Sequence, residues 1–199
     1  SDGGTGIALH NGDLYFAHDT SVVRYRMPKD QLVPPGPPET VVGGFPVQRS
    51  HATKSFAFDR KGGMYGNIGA PSNACQEQDR KPTIRGQDPC PLLEQHAGIW
   101  RFDADKADQV VGQHGRRHAT GMRQMIALAW HPTAGALYLV QHGRDQLDTL
   151  WPELFTAQQN AELPSEEFLR VEDGSNFGWP YCYHDWQQGK RVQNPEYGG

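Results

Sequence analysis

The chain has 199 residues, 36% of them hydrophobic, which is enough for one ordinary domain core. No apolar run approaches the roughly 18 residues that a membrane-spanning helix requires. A formal net charge of -4, with no Lys/Arg cluster, argues against a nucleic-acid partner.

The chain opens Ser1-Asp2-Gly3-Gly4 and enters a strand pattern almost at once, with no secretory leader, as the interior of a larger protein would. Residues 6–16 give the first phrase: the apolar-Ala-apolar run Ile7-Ala8-Leu9, the turn pair Asn11-Gly12, then a strand centred on Tyr15. Ser21 to Arg26 alternates apolar and polar residues, as a half-buried strand does. Residues 55–66 repeat the phrase, with Phe56-Ala57-Phe58 before the turn and Tyr65 after it. Cys75 and Cys90 flank a polar, turn-rich loop. They either close a disulfide, which favours an oxidising compartment, or are two unrelated thiols. Gly98 to Asp103 reads as another outer strand. Residues 127–139 carry the third copy, with Leu128-Ala129-Trp130 before the turn and Tyr138 after it. From Leu147 to Asp173 the pattern breaks into a predicted long loop, in which Ser165 caps a helical turn over Glu166 to Leu169.

An apolar hairpin closed by an outer strand, and then repeated, predicts an all-β fold of the β-propeller type. A β-sandwich accounts for the alternation but not for the recurrence of one phrase. At roughly 40 residues or more per unit, about three blades fit the chain. A closed ring needs at least about four. Residues 1–199 are therefore expected to form one partial propeller domain that continues beyond both termini.

Some residues are placed where chemistry can be done. His51 stands just before the second phrase, near the channel end of a blade, where an imidazole can serve as general base; the alternative is one surface histidine among nine. Arg123 holds the matching place before the third phrase, able to hold an anion or a quinone oxygen, or else a loop carbonyl. The turn Gln141 to Asp148 offers glycine, acids and carbonyls to a hard cation, or is a solvated turn. Asn176 to Tyr181 is dense in aromatics, a stacking wall or, by the commoner pattern, blade core.

Four stretches, in order, resemble the soluble pyrroloquinoline quinone (PQQ) glucose and sorbosone dehydrogenases. His51-Ala52-Thr53-Lys54-Ser55 resembles a His-x-Thr-Lys-Asn segment, and the strand through Gly69 continues it. Gly121-Met122-Arg123-Gln124, running on to Leu128-Ala129-Trp130-His131-Pro132, resembles Gly-hydrophobic-Arg-Asn-Pro followed by Gly-Leu-Ala-Trp-x-Pro. Gly143-Arg144-Asp145-Gln146-Leu147-Asp148 is similar to Gly-Arg-Asp-x-Leu-x-Asp, and Asn176-Phe177-Gly178-Trp179-Pro180 to Asn-Tyr-Gly-Trp-Pro. The resemblance implies a six-bladed propeller with PQQ over its channel. Its substrate would be a sugar or sugar aldehyde, and electrons would pass to an acceptor such as a cytochrome or quinone. It implies His51 as general base and Arg123 as the group polarising the quinone. Gln124 and His142 would be further cofactor contacts, and the carbonyls of Gly143 and Arg144 Ca2+ ligands. A periplasmic or secreted location follows from the same resemblance. The segment Arg123 to Ala127 lacks the family's Asn, Pro and Gly. The basic residues that clamp the PQQ carboxylates are expected in later blades, beyond Gly199. A non-catalytic binding propeller and a calcium-dependent lactonase-like propeller are the competing functions.

Overall fold

The computed structural model describes residues 4–199. The first blade is an antiparallel meander of Gly4–His10 (β1), Asp13–His18 (β2), Val22–Tyr25 (β3) and Glu39–Gly43 (β4). The second is Phe56–Phe58 (β5), Gly63–Ile68 (β6), Gly98–Asp103 (β7) and, after the short strand Gln109–Val110 (β8), Arg116–Thr120 (β9). The third is Gln124–His131 (β10), Ala136–His142 (β11) and Glu167–Val171 (β12). Ser175–Asn176 (β13) and the hairpin of Cys182–Asp185 (β14) with Lys190–Gln193 (β15) complete the strands. The first strands of the blades lie side by side, with β5 between β1 and β10. This is the all-β propeller arrangement, with three blades among the described residues. None of their helices is long and apolar enough to cross a membrane.

Each expected phrase is a hairpin that opens a blade. In the first, Asn11 and Gly12 both have positive φ, 50° and 86°, and His10 pairs with Asp13. That is the two-residue turn whose twist suits a hairpin, and Asn-Gly is the pair that tolerates it. In the second, Asp59 Oδ1 accepts from the backbone N–H groups of Lys61 and Gly63, both at 2.7 Å, closing the turn with its own side chain.

The core lies in the seams between blades. Tyr15, Val22, Val41 and Phe45 meet Phe56, Met64, Trp100 and Phe102 in one seam. Ala57, Tyr65, Ile99 and Met122 meet Met125, Leu137, Leu139 and Val171 in the other. Side chains alternate across a strand, so β6 sends Met64 to the first seam and Tyr65 to the second, and all of β6 is buried. The outward faces of the end blades are apolar but open: Ile7 and Leu9 on β1, Phe168 on β12.

Two short parallel strands tie the blades at their rims. β8, which leaves the second blade, pairs with β4 of the first; β13, which leaves the third, pairs with β9 of the second. Each covers an otherwise open outer edge.

The segment between β11 and β12 differs from expectation. It holds two helical turns, Leu147–Leu150 (α1) and Ala157–Glu162 (α2). The helix cap is Thr156, whose side chain accepts from Gln159 N while Gln159 reaches back to Thr156 N. Glu166 to Leu169 is not helical: Glu167 onward is strand, with Phe168 opposite Val140 and Leu169 opposite Leu139. Pairing with the exposed edge of β11 overrides the local Ser-x-Glu signal.

Met64 is fully buried in the first seam, whereas Leu32 is 97% exposed. Met64→Ala is expected to lower the unfolding free energy by about 2–5 kcal/mol, and Leu32→Ala to stay within about 0.5 kcal/mol of wild type. Urea denaturation of the two variants makes the comparison.

Candidate functional site

Three connections deliver polar groups to one end of the blades. The β4–β5 connection carries His51, the β9–β10 connection carries Arg123 with Gln124 next to it at the start of β10, and the β11–β12 connection begins with Gly143, Arg144 and Asp145. A fourth, residues 69–97 between β6 and β7, is closed by the Cys75–Cys90 disulfide, which settles the two readings of those cysteines.

His51 is held in the left-handed region, φ 55°, by two flanking side chains. Gln48 Nε2 lies within 2.8 Å of Ser50 O and 2.9 Å of His51 O. The fully buried Lys54 donates from Nζ to Ala52 O at 2.5 Å, and burial pushes its pKa down to about 8. The imidazole Nδ1 lies 2.5 Å from Ala70 O. A carbonyl only accepts, so Nδ1 carries the hydrogen and Nε2 keeps its lone pair. Burial first, and then the positive charge of Arg123, push the His51 pKa down to about 4. The ring is therefore neutral at ordinary pH.

Ala70 also links this histidine to Arg123, because its N–H donates to Arg123 O at 2.8 Å. The Arg123 guanidinium is buried and meets three acceptors: Nε donates to Asn73 Oδ1 at 3.0 Å, Nη1 to Gly143 O at 2.9 Å and Nη2 to Asp145 Oδ2 at 2.9 Å. An arginine has five N–H groups, so one on each Nη is left for another acceptor. Burial tends to raise the Asp145 pKa, but hydrogen bonds and charge from Arg80 and Arg123 outweigh it and hold the carboxyl below its usual range. Arg80 closes the cluster from the disulfide loop, 2.7 Å from Asp145 Oδ1.

Gln124 donates from Nε2 to Thr53 Oγ1, while its buried Oε1 has no partner. Gly69 lies between Gln124 and His51; a Cβ there would strike Gln124 Oε1 and come within 2.7 Å of His51 O. His51, Arg123, Gln124 and Gly143 are thus brought together. His142 lines one cavity with Arg123, Gly143 and Arg144 and is about half exposed, with Nδ1 2.8 Å from Glu166 Oε2. The Arg144 side chain turns into the protein, where Nη1 meets Glu196 Oε2 at 2.6 Å and Asn194 Oδ1 at 2.9 Å. Trp179 is core, its indole N–H donating to Asn73 O.

Sequence reasoning missed Asn73 and Arg80, which come from an irregular loop without periodicity, and Gln48, which looks like an ordinary surface residue; Lys54 stood in the phrase from His51 to Ser55, but its burial was not legible there. Only the small spacing of Gly69 from the strand before it was a signal, as a glycine inviting close approach.

A neutral imidazole with a free lone pair beside a buried guanidinium with unspent N–H groups, at the loop end of a propeller, defines a site able to take a proton and stabilise a developing negative charge. The chain belongs to the TrAA12-like family, whose model matches residues 3–197. Three solved structures share the fold. A Trichoderma reesei structure of Carbohydrate-Active Enzymes Family AA12, with iodide, has a TM-score of 0.69 at 19% identity, covering 91% of this chain and 44% of that one. The holo form of the pyranose dehydrogenase PQQ domain from Coprinopsis cinerea gives 0.68 at 19% identity, with the same 91% and 44%. The apo form of the soluble aldose sugar dehydrogenase from Escherichia coli gives 0.52 at 17% identity, covering 97% and 48%. The chain thus spans less than half the length of these relatives. None of the curated proteins matches it.

Two predictions follow from the packing. Gly69→Ala is expected to destabilise the protein by about 1–3 kcal/mol through overpacking, read by chemical denaturation. The lowered His51 pKa makes the unfolded chain the better proton binder between its ordinary value and about 4. Stability from this group is full above pH 6.5 and is lost as the pH falls towards about 4. His51→Gln should flatten that part of the melting-temperature profile.

Proposed function

We propose that this site belongs to a PQQ-dependent dehydrogenase that oxidises a sugar or sugar aldehyde. One observation carries the reading: a neutral histidine with a free Nε2 is tied through a single residue, Ala70, to a buried arginine with donors to spare. Family membership and the sugar and PQQ proteins that share the fold support it.

The residues fit the quinone in kind. Arg123 offers two unspent N–H groups, and the partnerless buried Oε1 of Gln124 marks an unfilled polar contact. Bound PQQ would supply the hydride-accepting quinone, as cofactors supply the hard chemistry in such enzymes. His51 would take the substrate hydroxyl proton at Nε2, and Ala70 O would steady the imidazolium through Nδ1–H. Arg123 would hold an oxygen that gains negative charge, an electrostatic role with little reorganisation because its guanidinium is already fixed on three sides.

Calcium fits less well. The ion takes about six to eight oxygen ligands. Among the described residues no three His, Cys, Asp or Glu side chains cluster to hold a metal. Gly143 O already receives Arg123 Nη1 at 2.9 Å, so an ion at that carbonyl would face a guanidinium. No step is assigned to a metal. The electron acceptor, a cytochrome or quinone, would dock at the same open end. The Cys75–Cys90 disulfide favours a periplasmic or secreted location. The open apolar faces of the end blades suit further blades of a six-bladed ring, which would bring the carboxylate clamp.

In the complete protein with PQQ, His51→Ala should reduce turnover with an artificial acceptor by about 10²–10⁴-fold, while the absorbance of bound quinone persists. Arg123→Ala should lose both. Near-normal turnover by His51→Ala removes the histidine from the mechanism, and a wild-type protein that binds no quinone leaves a binding propeller instead.

A further inference from the structure

We propose that Asn73 is the positioning residue for Arg123, set in place by the disulfide-closed loop between β6 and β7. The inference rests on the reading of Arg123 as the group that polarises the quinone. Asn73 is 1% exposed, and all of its polar groups are engaged. Its Oδ1 accepts from Arg123 Nε at 3.0 Å and its Nδ2 donates to Asp145 O at 2.9 Å. Its backbone N–H donates to Asp79 Oδ1 at 2.9 Å, and its backbone carbonyl accepts the Trp179 indole N–H at 2.9 Å. The last two contacts do not involve Arg123, so the loop places the amide whether or not the arginine is there.

The three acceptors around Arg123 are not equivalent. Asp145 has a side chain 52% exposed and shares its charge with Arg80, so this partner is open to water and divided between two cations. Gly143 O is a neutral carbonyl at the outer end of the guanidinium. Asn73 alone grips Nε, the atom about which the guanidinium plane turns, and it does so from a buried position with its own backbone hydrogen-bonded on both sides. Losing it would leave a buried Nε–H unpaired and free the plane to rotate, misdirecting the two N–H groups left for ligand. The amide has the right polarity at both ends: Oδ1 faces a donor and Nδ2 faces a carbonyl. The loop that carries it is pinned near its start, where Cys75 N donates to Ser72 Oγ at 2.9 Å and Cys75 is bonded to Cys90. It is pinned again by Tyr197 OH, which lies 3.2 Å from both Ala74 O and Gln87 O and shares its one hydrogen between them.

The test reads Arg123 directly, in the complete protein without added cofactor. The Nε–H resonance of Arg123, assigned by its disappearance in Arg123→Lys, should exchange slowly with water. Asn73→Ala should speed that exchange by about tenfold or more, the equivalent of one lost buried hydrogen bond. Asn73→Ser, too short to reach Nε, should do the same and serves if the alanine variant does not fold. Asn73→Asp keeps an acceptor for Nε and should remain slow. Tyr197→Phe removes one hydroxyl from the loop but leaves the Asp79 and Trp179 contacts that place Asn73, and should leave the signal unchanged. Unaltered exchange in the alanine and serine variants overturns the proposal. So does an equal acceleration in Tyr197→Phe, which would make loop order, not the amide, the cause. With PQQ bound, Asn73→Ala should lower kcat with little change in KM. A wild-type protein that binds no quinone would defeat the functional reading and leave the exchange result standing.

Discussion

A buried guanidinium must have its hydrogen bonds, and the loop end of this protein is organised around that requirement. Arg123 is 5% exposed, and an isolated charge there would be costly. Its acceptors come from the disulfide loop, from the carbonyl after β11 and from the aspartate that follows. They lie on two connections, β6–β7 and β11–β12, so satisfying one side chain that leads into β10 draws the two together. The same arginine lowers the proton affinity of His51, which Ala70 holds in the tautomer that leaves Nε2 free.

The scaffold makes that convergence possible. A sheet whose two faces are both buried cannot slide without exposing one of them, and β6 is buried at every position. The parallel strands β8 and β13 fasten each rim to the blade before it. With blades fixed in this way, connections that follow outer strands return to the same end, and residues far apart in sequence meet there. His51 and Arg123 are such a pair.

Buried arginines serve two different ends here. Arg123 keeps donors unspent and stands beside a half-buried aspartate, so it remains addressable by a ligand. Arg144, one residue beyond Gly143, has its side chain fully enclosed with Glu196 and Asn194, and Trp151 also donates to Glu196. That cluster ties the segment after β15 to the loop end and leaves no donor facing outward from the Nη pair that meets the carboxylate. Removing either partner of such a buried pair would strand a charge, which makes the cluster a structural lock.

The sequence by itself determined the local units. Alternation and turn chemistry are properties of a few neighbouring residues, so the hairpins around Asn11-Gly12, Asp59 and His131 were legible, as were the strands of β3 and β7. Family phrases also pointed to His51, Arg123 and Gly143. The strand Glu167 to Val171 was misread as a helical turn, because its state depends on the free edge of β11 and not on its own residues. Pairing of Cys75 with Cys90 stayed open for the same reason: proximity in space is not written in spacing. Asn73 and Gln48 carry no periodic signal, and their importance arises only from what surrounds them. Tertiary structure alone decided that Arg123 faces the site while Arg144 faces the core, because the three-dimensional supply of acceptors, and not residue type, sets where a buried charge can rest.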